Sequence, residues 1–215
     1  MIYGTVNPQV VAQIPSGSKR LLDLGCGSGV LGEYLKQERN CQVVGVTYSE
    51  AETALAEKVL DAALKRDLNE LDPAELGSFD CIVASHVLEH LYAPENLLRR
   101  LHQSLNPGGI LIVALPNVLF WQQRFRFLQG QFRYTDGGLM DRTHFRFYDW
   151  QSAHQLLEES GYAILNAESS GFFPLPIVRK LLPAGLVESI DTAAARSVPG
   201  LFGYQFVFAC RSRQP

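Results

Sequence analysis

The sequence predicts an α/β fold built on a doubly wound, mostly parallel seven-stranded sheet with helices on both faces. Short apolar runs alternate with segments of helical periodicity through the first 118 residues. These runs are apolar at nearly every position, which is typical of parallel strands buried on both faces. Two further apolar runs beyond residue 160, separated by one long connection, predict an antiparallel edge at the C-terminal side of the sheet.

The first half of the chain supplies five strands. They are expected at 20–25, 41–46, 61–66, 79–85 and 110–115. Between the second and third strands Ser49 is expected to cap a helix over 51–64, with Glu52 completing a capping box. Pro94 is expected to open a helix that runs to about Leu105, where "NPGG" stops it.

The second half is less regular. Residues 117–148 are rich in aromatic residues and arginine, and Asp149 then caps a helix that Gly161 closes. Strands are expected over 162–169 and 203–211, joined by an apolar, proline-rich segment predicted to be irregular. This C-terminal insertion has three possible roles. It could form a lid over the active site, a homodimer interface or a contact with a membrane surface.

Composition narrows the function classes. The 215 residues are 47% apolar and 19% charged, as in a folded domain. The net charge of −3 gives no excess of basic residues of the kind that nucleic-acid binding requires. The four cysteines form no C-x-x-C pair, no apolar run reaches 18 residues, and the N-terminus has no signal-peptide layout. We therefore expect a cytoplasmic protein with no integral membrane segment and no nucleic-acid partner.

The sharpest motif is "LLDLGCGSG" at 21–29, where a strand ends in three alternate glycines and a helix begins. In open α/β sheets a ligand binds at this point, against a glycine loop and a helix N-terminus. The dinucleotide fingerprint G-x-G-x-x-G also fits, but it expects an acidic residue about 20 positions later. Thr47 stands there, and Asp23 would repel a pyrophosphate. The pattern favours a nucleoside that carries an amino group over NAD.

This loop resembles the first motif of the class I S-adenosylmethionine-dependent methyltransferases. The other landmarks of that family follow in order, as "VVGVTYSE", "RDLNEL", "FDCIVASHVLEHL" and "LNPGGILIVALPN". The resemblance implies a Rossmann-like fold, methyltransferase activity and S-adenosylmethionine as cofactor. It also implies one domain over 1–215, with a cofactor-binding core at 1–118, a substrate-side elaboration at 119–149 and a C-terminal part at 150–215.

The resemblance further implies which residues bind the cofactor. Asp23 would meet the amino group, the glycine loop would pass beneath the methionine and ribose, and Ser85 would lie beside the sulfonium. Position 47 departs from the family, because Thr47 replaces the usual acidic residue and Tyr48 is expected to assist it. The expected set is Asp23, Gly25, Cys26, Gly27, Gly29, Thr47, Tyr48, Asp67, Leu68, Ser85 and His86.

The acceptor side is expected to lie in 131–149, where arginines, aromatic residues and one histidine suit a sugar or a carboxylated metabolite. An arginine–aspartate network that anchors a lid is the alternative. The expected substrate-binding residues are Arg133, Asp141, Arg142, His144 and Arg146. Because a neutral imidazole can accept a hydroxyl proton, His86, His90 and His144 are the candidate catalytic bases. His102 and His154 are expected to be solvated.

His86, Glu89 and His90 also form H-x-x-E-H, a signature of zinc peptidases that requires a helix. Here a buried strand runs directly into His86 and Pro94 follows soon after. We therefore interpret the string as a wall of the cofactor crevice and expect no metal.

Two other functions remain as alternatives. One is a non-catalytic or regulatory methyltransferase-fold protein that partners another enzyme, as the glycine loop and "LEH" partly resemble accessory proteins of methionine biosynthesis. The other is an NAD-dependent oxidoreductase, which Thr47 and Asp23 disfavour.

Overall fold

The computed structural model describes residues 6–175, 179 and 181–213. Seven strands form one sheet, and they are β1 (Arg20–Leu24), β2 (Gln42–Thr47), β3 (Ala62–Lys65), β4 (Phe79–Ser85), β5 (Leu105–Pro116), β6 (Tyr162–Gly171) and β7 (Gly203–Ser212). Their order is β3-β2-β1-β4-β5-β7-β6. The first five strands are parallel, and β7 runs antiparallel to both of its neighbours. The predicted fold class is confirmed, with the refinement that β6 forms the edge.

Helices cover both faces of this sheet. They are α1 (Pro8–Gln13), α2 (Val30–Arg39), α3 (Glu50–Ala56), α4 (Pro94–Leu101), α5 (Trp121–Leu128), α6 (Trp150–Glu159), α7 (Ala184–Ser197) and α8 (Pro199–Phe202). Side chains of β1 alternate between the faces, because successive residues of a strand point in opposite directions. Leu21 packs with α1, α2 and α3, whereas Leu22 packs with α4 and α6. Two apolar layers therefore hold the parallel strands in register.

Two helix boundaries differ from the prediction. Helix α3 ends at Ala56 rather than at residue 64. Asp61 explains the early end, because its carboxylate accepts the Val43 N–H at 2.7 Å and pairs with Lys36 at 3.1 Å. These contacts direct the chain into β3, the weakest of the predicted strands. Helix α4 similarly ends at Leu101, and the "NPGG" segment lies inside β5.

The prediction of an irregular C-terminal insertion was wrong for most of its length. Helix α7 spans 14 residues, because its sequence is rich in good helix formers such as alanine. Asp191 on this helix pairs with Arg179 at 2.7 Å and accepts the Phe173 N–H. Residues 176–178 and 180 of the insertion lie outside the described residues. Nowhere in the described chain is a helix both long and apolar enough to cross a membrane.

The two histidines expected to be solvated are instead packed against the rest of the protein. His102 is 9% exposed and contacts the Ser160 carbonyl at 2.8 Å through Nε2 and the Ser212 hydroxyl at 2.7 Å through Nδ1. Its ring stacks on Tyr162. His154 is half-buried against the rings of Trp150 and Phe208. Helical periodicity alone missed these positions because their partners come from β6, β7 and the end of α6.

We expect His102→Ala to lower the free energy of unfolding by about 2 kcal/mol, because two buried hydrogen bonds are lost. Gln103→Ala, in the same turn but exposed, is the control and should change it by less than about 0.5 kcal/mol. Urea unfolding of the two variants measures the difference, and equal stabilities would contradict the structural role of His102.

Candidate functional site

The glycine loop after β1 is tied to the end of β2. The N–H groups of Gly25 and Cys26 both donate to the Val46 carbonyl, at 2.8 and 3.0 Å. Gly25 has φ 71°, and a Cβ there would lie 2.5 Å from Val87 Cγ2, so no larger residue fits. A Cβ on Gly27 would meet only Glu52, at 4.0 Å. The loop is therefore fixed on its inner side and open at Gly27, where a ligand can approach the backbone.

The remaining glycine of the motif starts the next helix. Gly29 has φ 89°, a left-handed conformation that favours glycine, and it occupies the N-cap of α2. Its carbonyl accepts the Glu33 N–H at 2.8 Å. The first N–H groups of α2 therefore point toward the loop, as a ligand with negative or polar groups requires.

Asp23 is the buried carboxyl group of this crevice. It pairs in register with Gly45 of β2 and Val83 of β4 and is 5% exposed. Burial raises the pKa of Asp23 to about 7. A cationic group bound beside it would lower that pKa again, because an opposite charge favours the ionised form. Asp23 is therefore suited to a ligand that brings its own positive charge.

The Glu52 side chain places a carboxylate next to position 47. The Thr47 hydroxyl donates to Glu52 Oε2 at 2.8 Å. Ser49 accepts the Glu52 N–H at 3.4 Å, which confirms half of the predicted capping box. The Glu52 side chain itself turns to Thr47. Sequence reasoning missed Glu52 as a site residue because its spacing from Ser49 already explained it.

Cys26 lies between these two carboxyl groups. Burial raises the pKa of Cys26 to about 12, and the nearby charges of Asp23 and Glu52 contribute to the increase. The thiol is therefore un-ionised and acts as an apolar floor for the loop. Tyr48, in contrast, is 74% exposed.

The segment after β3 forms the next part of the crevice wall. Asp67 Oδ1 accepts both the backbone N–H and the side-chain amide of Asn69, each at 2.9 Å. Asn69 in turn accepts the Tyr92 N–H at 3.0 Å. Leu68 is half-buried and packs against the core. This arrangement fixes Asp67 and Leu68 relative to the turn that follows β4.

His86 directly follows Ser85, the last residue of β4, and takes φ 56°. It is one of two non-glycine residues with positive φ in the described chain. Its Nε2 lies 3.0 Å from Gln205 Oε1 and its Nδ1 lies 3.3 Å from Glu89 Oε1. Burial lowers the pKa of His86, but its contacts with Glu89 and Gln205 raise it above the ordinary value overall. Both nitrogens face oxygen atoms, which favours a positioning role over that of a base.

The structure brings His90 and His144 together at the end of β4. Glu89 and His90 lie in a single 3₁₀ turn, Leu88–His90, so H-x-x-E-H does not lie within a helix of the zinc-peptidase type. The Glu89 carbonyl accepts the N–H groups of Phe145 and Arg146, which holds the loop containing His144 against this turn. The ring centroids of His90 and His144 are 4.8 Å apart. Burial lowers the pKa of His144, although the charge of Glu89 opposes this.

The arginines of the predicted acceptor side mostly anchor the loop. Arg142 is exposed and pairs with Asp136 at 2.8 Å. Arg146 donates through Nε to the Tyr92 carbonyl at 3.1 Å. Asp141 accepts from Thr143, whereas Arg133 is exposed. These contacts favour the lid-anchoring alternative for Arg142 and Arg146.

A cavity of about 270 Å³ lies beneath this loop, between α5 and residues 135–140. It is lined by Gln122, Gln123, Arg126, Thr135, Gly137, Gly138, Leu139 and Met140. Gln123 is buried, so the cavity contains a polar group away from solvent. The sequence did not indicate this cavity, because it forms between segments that have no periodic pattern in common. A larger cavity of about 470 Å³, next to α7 and Arg179, contains none of the predicted site residues.

Comparison with known proteins identifies the family. The family model of the methyltransferase domain matches residues 7–167. A ubiquinone biosynthesis O-methyltransferase from Pseudomonas aeruginosa is 30% identical over 105 residues, which are 46% of this chain and 45% of that protein. The chain spans about half the length of the curated relatives it matches.

Solved structures share the fold over nearly the whole chain. A SAM-dependent methyltransferase from Archaeoglobus fulgidus superposes with a TM-score of 0.64 at 18% identity, covering 94% of this chain and 90% of that one. An S-adenosylmethionine-dependent methyltransferase from Mesorhizobium loti gives a TM-score of 0.62 at 22% identity, covering 95% and 96%. At this level of identity the likeness establishes the fold alone.

The raised pKa of Asp23 makes the ligand-free protein less stable as the pH rises. Between about pH 4 and 7 the folded protein keeps this proton while the unfolded chain releases it, so stability is lost over that interval. Asp23→Asn cannot ionise. We expect its stability advantage over the wild type to grow by on the order of 2 to 3 kcal/mol between pH 5 and pH 8. Urea unfolding at both pH values measures this, and a pH-independent difference would contradict it.

Proposed function

The chain belongs to the methyltransferase domain family, and from this premise we propose that it transfers the methyl group of S-adenosylmethionine to an oxygen atom of a small-molecule acceptor. The observation that carries the proposal is the pair of carboxyl groups, Asp23 and Glu52, that lie near the open glycine loop. A ligand with an ammonium group at one end and a ribose diol in the middle matches this pair.

Each part of the cofactor has a candidate partner in the crevice. Asp23, ionised by the approach of a cation, would hold the amino group. Glu52, with Thr47 beside it, would accept hydrogen bonds from the ribose hydroxyls, and the Gly27 backbone would pass beneath them. Asp67 and Leu68 would flank the adenine. Ser85 and His86, at the end of β4, would lie next to the sulfonium.

The chemistry requires positioning more than activation, because the sulfonium already makes the methyl group electrophilic. A lone pair of the acceptor oxygen forms the new C–O bond while the C–S bond breaks and its electron pair goes to sulfur. The hydroxyl proton of the acceptor passes to solvent on the side where His90 and His144 lie. The products are an O-methylated acceptor and S-adenosylhomocysteine.

Oxygen is favoured as the acceptor atom by two observations. Curated relatives that are 30% and 32% identical over about half of this chain are named as O-methyltransferases. The end of β4 reads "ASHVLE" and lacks the N-P-P-[FY] string typical of enzymes that methylate exocyclic or amide nitrogen atoms. We propose a sugar or a carboxylated hydroxy metabolite as the acceptor class, bound beneath the 119–149 elaboration. We also propose that the core, this elaboration and the C-terminal part act as one domain.

Transfer of label from methyl-labelled S-adenosylmethionine to a panel of sugars, hydroxy acids and phenols tests the proposal. We expect an O-methylated product from at least one acceptor. The Gly27→Val variant should give none, because the valine side chain would occupy the space through which the ligand reaches the loop backbone. Binding of S-adenosylhomocysteine without transfer to any acceptor would instead support a non-catalytic partner protein. A thermal shift with NAD but none with S-adenosylhomocysteine would refute the cofactor assignment.

Replacing the newly identified carboxylate should weaken cofactor binding. We expect Glu52→Gln to reduce the affinity for S-adenosylhomocysteine about 10-fold, because hydrogen bonds to charged groups contribute on the order of 1.5 kcal/mol or more. Glu50→Gln is the matched control, since Glu50 lies on the same helix but points outward to Lys65. Calorimetric titration of both variants measures the effect, and equal losses in the two would contradict the role of Glu52.

A further inference from the structure

Glu89, His90 and His144 form a cluster of metal-ligand type at the acceptor end of the crevice. One carboxylate oxygen of Glu89 and one ring nitrogen from each histidine all lie within 4.8 Å of one another. Ligand bonds to Zn²⁺ are about 2.0 to 2.2 Å long, so bound donors lie roughly 3 to 3.5 Å apart. Small side-chain rotations would therefore bring these three atoms into coordination distance of one cation.

Two of these side chains contain polar atoms that have no partner within the described part of the chain. They are Glu89 Oε2 and His144 Nδ1, and both are buried. Glu89 is fully buried, and its other oxygen faces His86. Placing a carboxylate away from water costs several kcal/mol unless a charge or a set of hydrogen bonds compensates. His86 contacts only Oε1, so the unpartnered Oε2 is the carboxylate oxygen that is available to a cation.

Hydrogen bonds orient His90 within this cluster. His90 Nδ1 lies 3.1 Å from the Thr143 carbonyl and can only donate to it, which leaves Nε2 with the free lone pair. The Thr143 hydroxyl lies 3.2 Å from the same nitrogen and donates to Asp141 Oδ1 at 2.7 Å. Asp141 therefore places a further carboxylate beside the cluster.

Backbone contacts, rather than a metal, hold the cluster in place. Phe145 and Arg146 donate to the Glu89 carbonyl at 2.8 and 3.1 Å, so the loop that carries His144 is already fixed. The site is therefore preorganised, and binding a cation requires little rearrangement of the chain. The Tyr148 hydroxyl is also buried and makes no hydrogen bond within the described chain.

We propose that Glu89, His90 and His144 bind a divalent transition-metal cation, and that this cation binds the oxygen acceptor of the methyl group. Two imidazole ligands and one carboxylate favour Zn²⁺, Mn²⁺ or Fe²⁺ over Mg²⁺ and Ca²⁺, which prefer oxygen ligands. This assignment departs from the expectation of no metal. That expectation considered H-x-x-E-H alone, whereas the third ligand comes from a loop 54 positions further along the chain.

The role in methyl transfer rests on the proposed function. A hydroxyl oxygen bound to the cation loses its proton to solvent at a lower pH than in water, as a bound water does. The resulting oxygen anion forms the C–O bond as the C–S electron pair passes to sulfur. Glu89 links the two halves of the site, because its Oε1 contacts His86 beside the expected sulfonium and its carboxylate group also lies near the ring nitrogens of His90 and His144.

Calorimetry with metal alone tests the site directly. The full chain, stripped with a chelator, is titrated with Zn²⁺, Mn²⁺ and Mg²⁺ in separate runs. We expect one site for Zn²⁺ or Mn²⁺ and at least about 100-fold weaker binding in Glu89→Gln and His144→Gln. His154→Gln is the matched control, being a half-buried histidine outside the cluster, and it should bind as the wild type does. Thermal unfolding without metal verifies that each variant is folded.

Failure of this proposal is distinguishable from failure of the proposed function. We expect chelation to abolish methyl transfer, added Zn²⁺ or Mn²⁺ to restore it, and the affinity for S-adenosylhomocysteine to stay unchanged throughout. Methyl transfer that persists in a chelator, with no metal bound, would overturn the metal site and leave the methyltransferase standing. Cation binding that both variants abolish, without any cofactor binding, would overturn the function and retain the site.

Discussion

Glu89 is the residue on which the acceptor side of this protein depends. Its backbone carbonyl holds the loop that contains His144, and its fully buried side chain faces His86 on one side and the histidine pair on the other. A buried carboxylate is stable only when its charge is compensated. The fold therefore places this buried carboxylate where the end of β4, the loop that contains His144 and the crevice meet. Contacts of Glu89 connect all three.

The cofactor side is organised by a comparable compromise. Asp23 is buried in the sheet and tends to keep its proton, while Glu52 reaches across from α3 to the end of β2. Burial makes the Asp23 arrangement less favourable in the ligand-free protein than an apolar or solvated alternative would be. A cationic, hydroxyl-bearing ligand would satisfy both carboxyl groups at once. The free energy that the ligand-free protein loses at this site would then be recovered when the ligand binds.

The sheet could be predicted from the sequence, because strands that are buried on both faces have a continuous apolar pattern. The glycine loop predicts the edge of the sheet at which a ligand binds. The sequence was insufficient wherever a side chain meets a partner far along the chain. Glu52 matched a local capping pattern that concealed its contact with Thr47. His102 occupies a helical face that only β6 and β7 cover. The Glu89 cluster required His144, and no local periodicity relates the two positions.

The position of β7 has a consequence for how the molecule is assembled. Both β5 and β6 are synthesised before the strand that must lie between them. Until β7 pairs, the apolar edge of β5 presents unpaired backbone groups, which can pair with another chain. The same strand carries Gln205, which contacts His86. The pairing of β7 therefore closes the sheet and completes the crevice in one event. A nascent chain in which β7 has not yet paired is vulnerable to aggregation, and it also lacks the contact between Gln205 and His86.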